Sequence, residues 1–409
     1  MVTRANKVIT KNQIRRNRIL RTLLEEGRLS LTDVAKRTGI SLPMVSKLAT
    51  ALREEKLIVT GDGGKIDRAG RPPIVAQLDG GAGYVLGFDV GHRNTNIVLI
   101  NLEQHIVVER HIASPALGND PAIIGWLSAR IDESLKEAEV PRKKLLGVGV
   151  SIPGIVRGRE GVSETYLNFG PEPLREVLEA AFKKPVHIEH DAKAMALGER
   201  WFGAAKNVPD VLCLNIGWGL GLGIIADGRL YYGRDGYAGE FGHLQVAPNG
   251  LLCQCGKRGC LETVASGRAI ARMARERLVG GAPSRLLEQS LMPTMEVDAE
   301  QVVRAAMAGD QFSIEILEEA GRFLGEGVAK LINLFNPGLI ILGGRVASAQ
   351  HFILDPVRST ALKQSLIQLN RNVEFTVSGL GTKSGALGVA MLAARDLFEV
   401  DHLNPTAFV

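Results

Sequence analysis

Apolar positions in the first sixty residues recur with a helical period. Ile19, Leu20, Leu23 and Leu24 form one stripe, which Gly27 ends. Ser30 stands where an N-cap belongs, with Asp33 three residues on and Val34 and Ala35 behind it. Gly39 supplies a tight turn, and Ser41 is placed to cap a third helix whose inner face is Val45, Leu48 and Leu52. Three short helices at this spacing predict a helix-turn-helix whose third helix enters the major groove of DNA. Ser41, Pro43, Met44, Ser46, Lys47 and Thr50 face outward near its start and are the candidates for base-edge and phosphate contacts. Residues 57–60, a glycine turn at 61–64 and Lys65-Ile66 predict a two-stranded wing. A three-helix protein-interaction module competes with this reading, but the basic charge and the wing argue against it.

After the wing the pattern breaks at Arg68-Ala69-Gly70-Arg71-Pro72-Pro73. Prolines favour an extended backbone, and a Gly-Arg-Pro tip is slim enough for a narrow minor groove, where negative potential draws Arg68 and Arg71. The alternative is an ordinary linker carrying two incidental arginines. From residue 83 the pattern becomes that of an α/β body. Strand, glycine turn and strand alternate at 83–100 and again at 214–225, with amphipathic helices at 121–139 and Leu174–Phe182 and a buried strand at 145–150. A long helix, Gln311–Phe335, leads into a strand at 339–342, and 385–396 is a closing apolar helix. The expected division is a head at 1–66, a linker at 67–82, a small lobe at 83–192, a large lobe at 193–384 and a closing segment at 385–409.

Charge sharpens the division. Residues 1–80 carry 16 Lys/Arg against 8 Asp/Glu, and the remainder carries 33 against 36. A basic head on a mildly acidic body implies that the head alone meets a polyanion. There is no apolar run of about 18 residues and no signal-peptide core, so the expected location is the cytoplasm and no membrane partner is expected.

The most specific chemistry lies in the run 243–262, HLQVAPNGLLCQCGKRGCLE, which holds three of the 4 cysteines. His243, Cys253, Cys255 and Cys260 offer three soft thiolates and an imidazole, a donor set suited to tetrahedral Zn²⁺. Four protein ligands leave no open position, so the metal is expected to be structural. A disulfide is disfavoured, since nothing else suggests an oxidising compartment. Cys213 sits in an apolar run and reads as core. A metal here would fix Glu240, His243 and Glu262 around one space, and paired carboxylates of this kind grip vicinal hydroxyls.

Ala238-Gly239-Glu240-Phe241-Gly242-His243, then the Cys-x-Cys-Gly-x-x-Gly-Cys run and Glu262, resemble the signature of the ROK family of repressors and sugar kinases. The resemblance covers essentially the whole chain. It implies a winged helix-turn-helix followed by a two-lobed, actin-like (ribonuclease-H-like) ATPase fold with a structural zinc loop. It also implies that His243 and the three cysteines bind zinc, while Glu240, His243 and Glu262 contact a sugar. Asp191 aligns with the family's catalytic base, and His190 replaces the kinases' usual Asn beside it. Asn168, in the loop ahead of Leu174–Phe182, completes the expected sugar-contact set.

Two departures weigh against catalysis. His92-Arg93-Asn94 stands where the family's kinases carry Gly-Thr-Lys, and Trp218 replaces the hydroxyl residue between Gly217 and Gly219. The first loses the glycine and hydroxyl that let backbone amides approach a phosphate, and the second puts an obstructing indole where a phosphate should pass. The expectation is therefore a non-enzymatic, sugar-responsive repressor that binds a palindromic operator in double-stranded DNA as a homodimer or tetramer. A ROK-type ATP-dependent sugar kinase with an attached DNA-binding head is the alternative. A repressor controlled by a partner protein is a third reading.

Overall fold

The computed structural model describes residues 10–62, 73–286 and 296–398. In the head, Lys11–Glu26, Leu31–Thr38 and Leu42–Glu54 are helices. Ser30 caps the second as expected, its hydroxyl accepting from the Asp33 amide at 3.0 Å. Ser41 occupies the N-cap position of the third helix but makes no capping hydrogen bond. With Pro43 in the first turn, one amide fewer needs a partner, and the Ser41 hydroxyl stays exposed.

The wing differs from the expectation. Ile58–Asp62 pairs antiparallel with Ile74–Leu78, which also pairs with Leu29–Ser30. The second wing strand thus comes from the stretch read as linker, while Lys65-Ile66, Arg68 and Arg71 lie outside the described residues. The reason is packing: Ala76 and Leu78 alternate inward and are buried in the head's core.

Two mixed five-stranded sheets form the body. The first runs Val186–His190, Leu145–Ile152, Tyr84–Val90, Asn94–Asn101, Ile106–Ala113 in spatial order. The second runs Arg229–Leu230, Leu220–Ala226, Val211–Ile216, Leu339–Gly343, Glu374–Val377. In both, an antiparallel hairpin adjoins parallel strands, so the lobes repeat one plan. Helices Asp191–Phe202 and Ser384–Asp396 pack against each other closely. A Cβ at Gly198 would meet the Ser384 carbonyl oxygen at 2.0 Å, and one at Gly388 would meet that of Ala194 at 1.8 Å.

The head does not hang free. One buried cluster runs from Ile19, Leu24 and Leu52 through Val85, Val98 and Ile100 to Ala386, Leu387 and Met391. The Gln104 side chain donates to the Leu24 carbonyl across the same junction. Among the described residues, no helix is long and apolar enough to cross a membrane.

Candidate functional site

The loop at 243–262 folds back on itself through short backbone pairings. Val246 and Ala247 amides both donate to the Gly259 carbonyl (2.8 and 3.1 Å), and Cys253 N donates to Lys257 O at 2.7 Å. Gly259 has a φ of +72°, and a Cβ there would lie 1.5 Å from the Ala247 carbonyl oxygen, so only glycine fits. The result converges the four expected ligands. One donor atom each from His243, Cys253, Cys255 and Cys260 lies within 4.8 Å of all the others. Cys255 and Cys260 sulfurs are 3.6 Å apart, and Cys253 Sγ is 3.6 Å from His243 Nδ1. A tetrahedral ion with bonds of about 2.3 Å to sulfur needs sulfurs roughly 3.8 Å apart. The cluster can hold such a metal ion.

This loop borders a cleft of about 890 Å³ between the lobes. His190, Asp191, Glu240, His243 and Glu262 all line it; Asn168 does not. Asn168 is exposed, and its side-chain oxygen accepts from Gly170 N at 3.4 Å within its own loop, while Thr165 and Tyr166 form the cleft wall there. His190 ends a strand and Asp191 begins a helix, a junction that aims both side chains inward. Asp191 Oδ1 accepts from Ala192 N (2.6 Å) and lies 3.3 Å from His190 Nε2; its Oδ2 accepts from Asn215 Nδ2 (3.2 Å). His243 turns Nδ1 toward Cys253 and Nε2 toward Glu240, 3.8 Å away. Glu262, with 12% side-chain exposure, accepts from Leu220 N at 3.2 Å and from Arg268 at 3.2 Å.

Burial governs the charge states. Desolvation raises Asp191 to about 6 against the Ala192 amide, helped by repulsion from Glu262. Asp89, at the end of Tyr84–Val90, is likewise raised to about 6 by burial, although the Ser151 hydroxyl (2.6 Å) and Asn96 amide (3.1 Å) donate to it. Burial and the nearby Lys193 push His190 down to about 4, so the imidazole is neutral at pH 7.

A buried network beneath the site escaped the sequence reading. Glu189 accepts from the Tyr232 hydroxyl (2.8 Å), and Lys193 donates to the Gly236 carbonyl (2.7 Å). It ties the strand–helix junction to the segment that delivers Glu240. The only available signal was a Lys two residues after Asp191 on a helix face that must be buried.

The glycine turns that also line the cleft carry aromatic and cationic side chains. The His92 ring lies 5.3 Å from the Trp218 ring, Tyr166 meets His92 edge-on at 5.2 Å, and the Arg93 guanidinium sits 5.8 Å from the indole. Arg345, just after Gly343-Gly344, pairs with Glu300 and donates across the cleft to the Asn94 side-chain oxygen at 2.9 and 3.1 Å, in the amide orientation that satisfies both groups.

On the head, Pro43, Lys47 and Thr50 are exposed, and Met44 and Ser46 partly so. The structure adds cations beside them. Lys11, Arg15 and Arg18 of the first helix share a surface depression with Ser41 and Met44. Their only sequence signal was the basic bias of the segment.

Residues 85–396 match the ROK family, and residues 13–59 match a winged helix-turn-helix DNA-binding family. The chain is 31% identical over 388 residues to the xylose repressor of Caldicellulosiruptor bescii, covering 94% of this chain and 96% of that one. It is 30% identical over 379 residues to the DNA-binding transcriptional dual regulator NagC of Escherichia coli, covering 92% and 91%. A crystal structure of a ROK family transcriptional regulator, a homolog of the E. coli MLC protein, superposes with a TM-score of 0.78 at 28% identity over 95% of this chain and 96% of that one. A ROK family glucokinase from Streptomyces griseus, solved with glucose and AMPPNP, gives 0.68 at 31% identity over 76% and 100%.

Proposed function

The chain belongs to the ROK family, and from that premise we propose a sugar-responsive transcriptional repressor whose winged helix grips a palindromic operator and releases it when sugar enters the interlobe cleft. The observation that carries the coupling is the helix Ser384–Asp396. Ser384 and Gly385 line the cleft, and a Cβ at Gly385 would stand 2.7 Å from the Asp89 carboxyl carbon. Farther along, Ala386, Leu387 and Met391 belong to the core shared with the head. Lobe closure on a sugar would move this helix and the head together. For DNA to be released, sugar must prefer the conformation in which paired heads fit the operator badly.

His190, Asp191, Glu240, His243 and Glu262 are the proposed sugar contacts. Ionised Asp191, Glu240 and Glu262 accept from hydroxyls, while neutral His190 offers one donor or one acceptor. His243, Cys253, Cys255 and Cys260 would hold a structural zinc ion, which supplies rigidity and no open coordination position. With Nδ1 on the cysteine side, His243 keeps Nε2–H for the cleft. Asn168 could join only by a movement of its loop. The proposed DNA contacts are Ser41, Pro43, Met44, Ser46, Lys47 and Thr50, with Arg68 and Arg71 in the minor groove and Lys11, Arg15 and Arg18 on phosphates. The protein is proposed to work in the cytoplasm as a homodimer. Leu334, Phe335, Leu366 and Ile367 form an exposed apolar patch suited to such pairing. On this reading the head runs on through Leu78, and the proposed divisions beyond it are a small lobe at 83–192, a large lobe at 193–384 and a closing segment at 385–409.

Asp191, with a carboxyl poised near neutrality, favours a residual kinase as the second reading. The filled phosphate end opposes it, and we propose no catalytic residue. Fluorescence anisotropy of the full-length protein on its own upstream DNA, with a panel of sugars, tests the main reading. Release by one sugar is expected. Sugar-dependent ATP consumption that Asp191→Asn abolishes would establish the kinase instead.

A further inference from the structure

Trp218 is exposed by 46%, an unusual state for an indole, and it lines the cleft rather than the outer surface. It sits two residues before Leu220, whose amide donates to Glu262, and Gly219 between them is so close that a Cβ would stand 2.8 Å from the Glu262 carboxylate. The indole is therefore next door to the proposed sugar contacts. Its ring is steadied by His92 and Arg93, and the rest remains open.

Two further features define what could lie on that ring. A cleft of about 890 Å³ is near the top of the range of roughly 300–1,000 Å³ that encloses whole drug-sized ligands, so one pyranose leaves much of it empty. Arg268 and Arg345, which line the cleft together with the indole, pair with Glu262 and Glu300, and the Arg93 guanidinium already lies against the ring at 5.8 Å. Two of these three charges are paired with carboxylates, which leaves the apolar ring as the main open surface beside Glu262. An uncharged ring with a C–H face and hydroxyl edges fits that surface: the face lies on the indole and the edges meet the surrounding polar groups.

We propose that the cleft is built for a disaccharide or longer glycoside, with one sugar ring among Asp191, Glu240 and Glu262 and the next stacked on Trp218. The inference rests on the sugar-effector reading and adds the size class of the effector. Trp218 then acts as a specificity platform in the space where a kinase would hold its phosphates, and the same side chain that closes one activity opens a second sugar subsite.

Calorimetric titration of full-length, zinc-loaded protein tests this with three pairs of probes: glucose and cellobiose, xylose and xylobiose, N-acetylglucosamine and chitobiose. In at least one pair the disaccharide is expected to bind about tenfold more tightly than its monosaccharide. Trp218→Ala should bring the disaccharide down to the monosaccharide's affinity and leave the latter unchanged, while Trp218→Phe keeps most of the gain. Indole emission should shift with the disaccharide alone. Equal affinity within every pair, or equal weakening of both sugars by Trp218→Ala, would overturn the second subsite and leave the sugar-effector reading intact. Binding of no sugar of either size would overturn both.

Discussion

The two ends of the cleft make an instructive pair. The first draws on the strand–helix junction at His190 and Asp191 and on the loop at 240–262, the second on glycine turns from both sheets at 91–94 and 217–219. In one, carboxylates and imidazoles from three separated segments face the cleft beside a folded loop that gathers four side chains able to hold a metal ion. At the other, the turns that could expose backbone amides are occupied by His92, Arg93 and Trp218, and Arg345 crosses from one lobe to Asn94 on the other. Polar side chains facing the cleft mark the first, and rings and guanidiniums the second. A fold shared with kinases can thus keep open carboxylates in one part of its cleft while placing aromatic and cationic side chains at its glycine turns.

The largest effect should come from the metal loop. Cys255→Ser removes one ligand of four, and the expected result is loss of zinc by elemental analysis together with loss of the sugar response. Unchanged zinc content would break the ligand assignment. Next in size is Asp191→Asn, expected to weaken sugar binding about 10- to 100-fold, as removal of a charged hydrogen-bond partner does.

The pH dependence sharpens the same point. Because Asp191 is raised to about 6, it gains a proton as pH falls through 6, and sugar affinity should drop there by no more than about tenfold per pH unit. Asp191→Asn should flatten that profile, and a slope that survives would assign it to another group. Stability should follow a different course. Asp89 and Asp191, raised from 3.8, stabilise the fold fully below about pH 4 and lose that contribution as pH rises through 6. His190, lowered from 6.5 to about 4, contributes above pH 6.5 and loses that as pH falls toward 4. The two carboxylates outweigh the one imidazole, so these groups together should make thermal stability fall as pH rises from 4 to 6, while sugar affinity rises.

Smaller still is Lys47→Ala, expected to weaken operator binding several-fold and reduce the salt slope by about one. An unchanged slope would take Lys47 off the phosphate backbone. The smallest expected gain tests the filled end directly. His92→Gly with Trp218→Thr should give weak ATP binding, read by a fluorescent ATP analogue, where the parent protein shows none. Equal binding by the parent would mean that the indole closes nothing.

Much of this was legible in the chain. The helical stripes of the head, the helix Gln311–Phe335 and the glycine turns depend on local periodicity and backbone freedom, which sequence encodes directly. The metal loop was legible because its four ligands are nearly contiguous, so loop closure alone brings them together. The second wing strand was misplaced because prolines at 72 and 73 mark a linker locally, whereas Ala76 and Leu78 reveal a strand only against the head's core.

Tertiary structure decided everything that depends on distant segments meeting. Asn168 matches a site position in sequence, but its loop turns it away from the cleft. Glu189, Lys193 and Tyr232 form one network from two lobes, and no spacing rule connects them. Trp218 read from sequence as an obstruction; only its open face beside Glu262 makes it a candidate surface for a ligand. The sequence by itself determined the family, the basic head, the donor set that can hold a metal and the altered glycine turns, because each is written in local runs and composition. Which side chains share the cleft, how their charges are set by burial, and how one helix links cleft to head were decided by packing, because those relations join residues hundreds of positions apart.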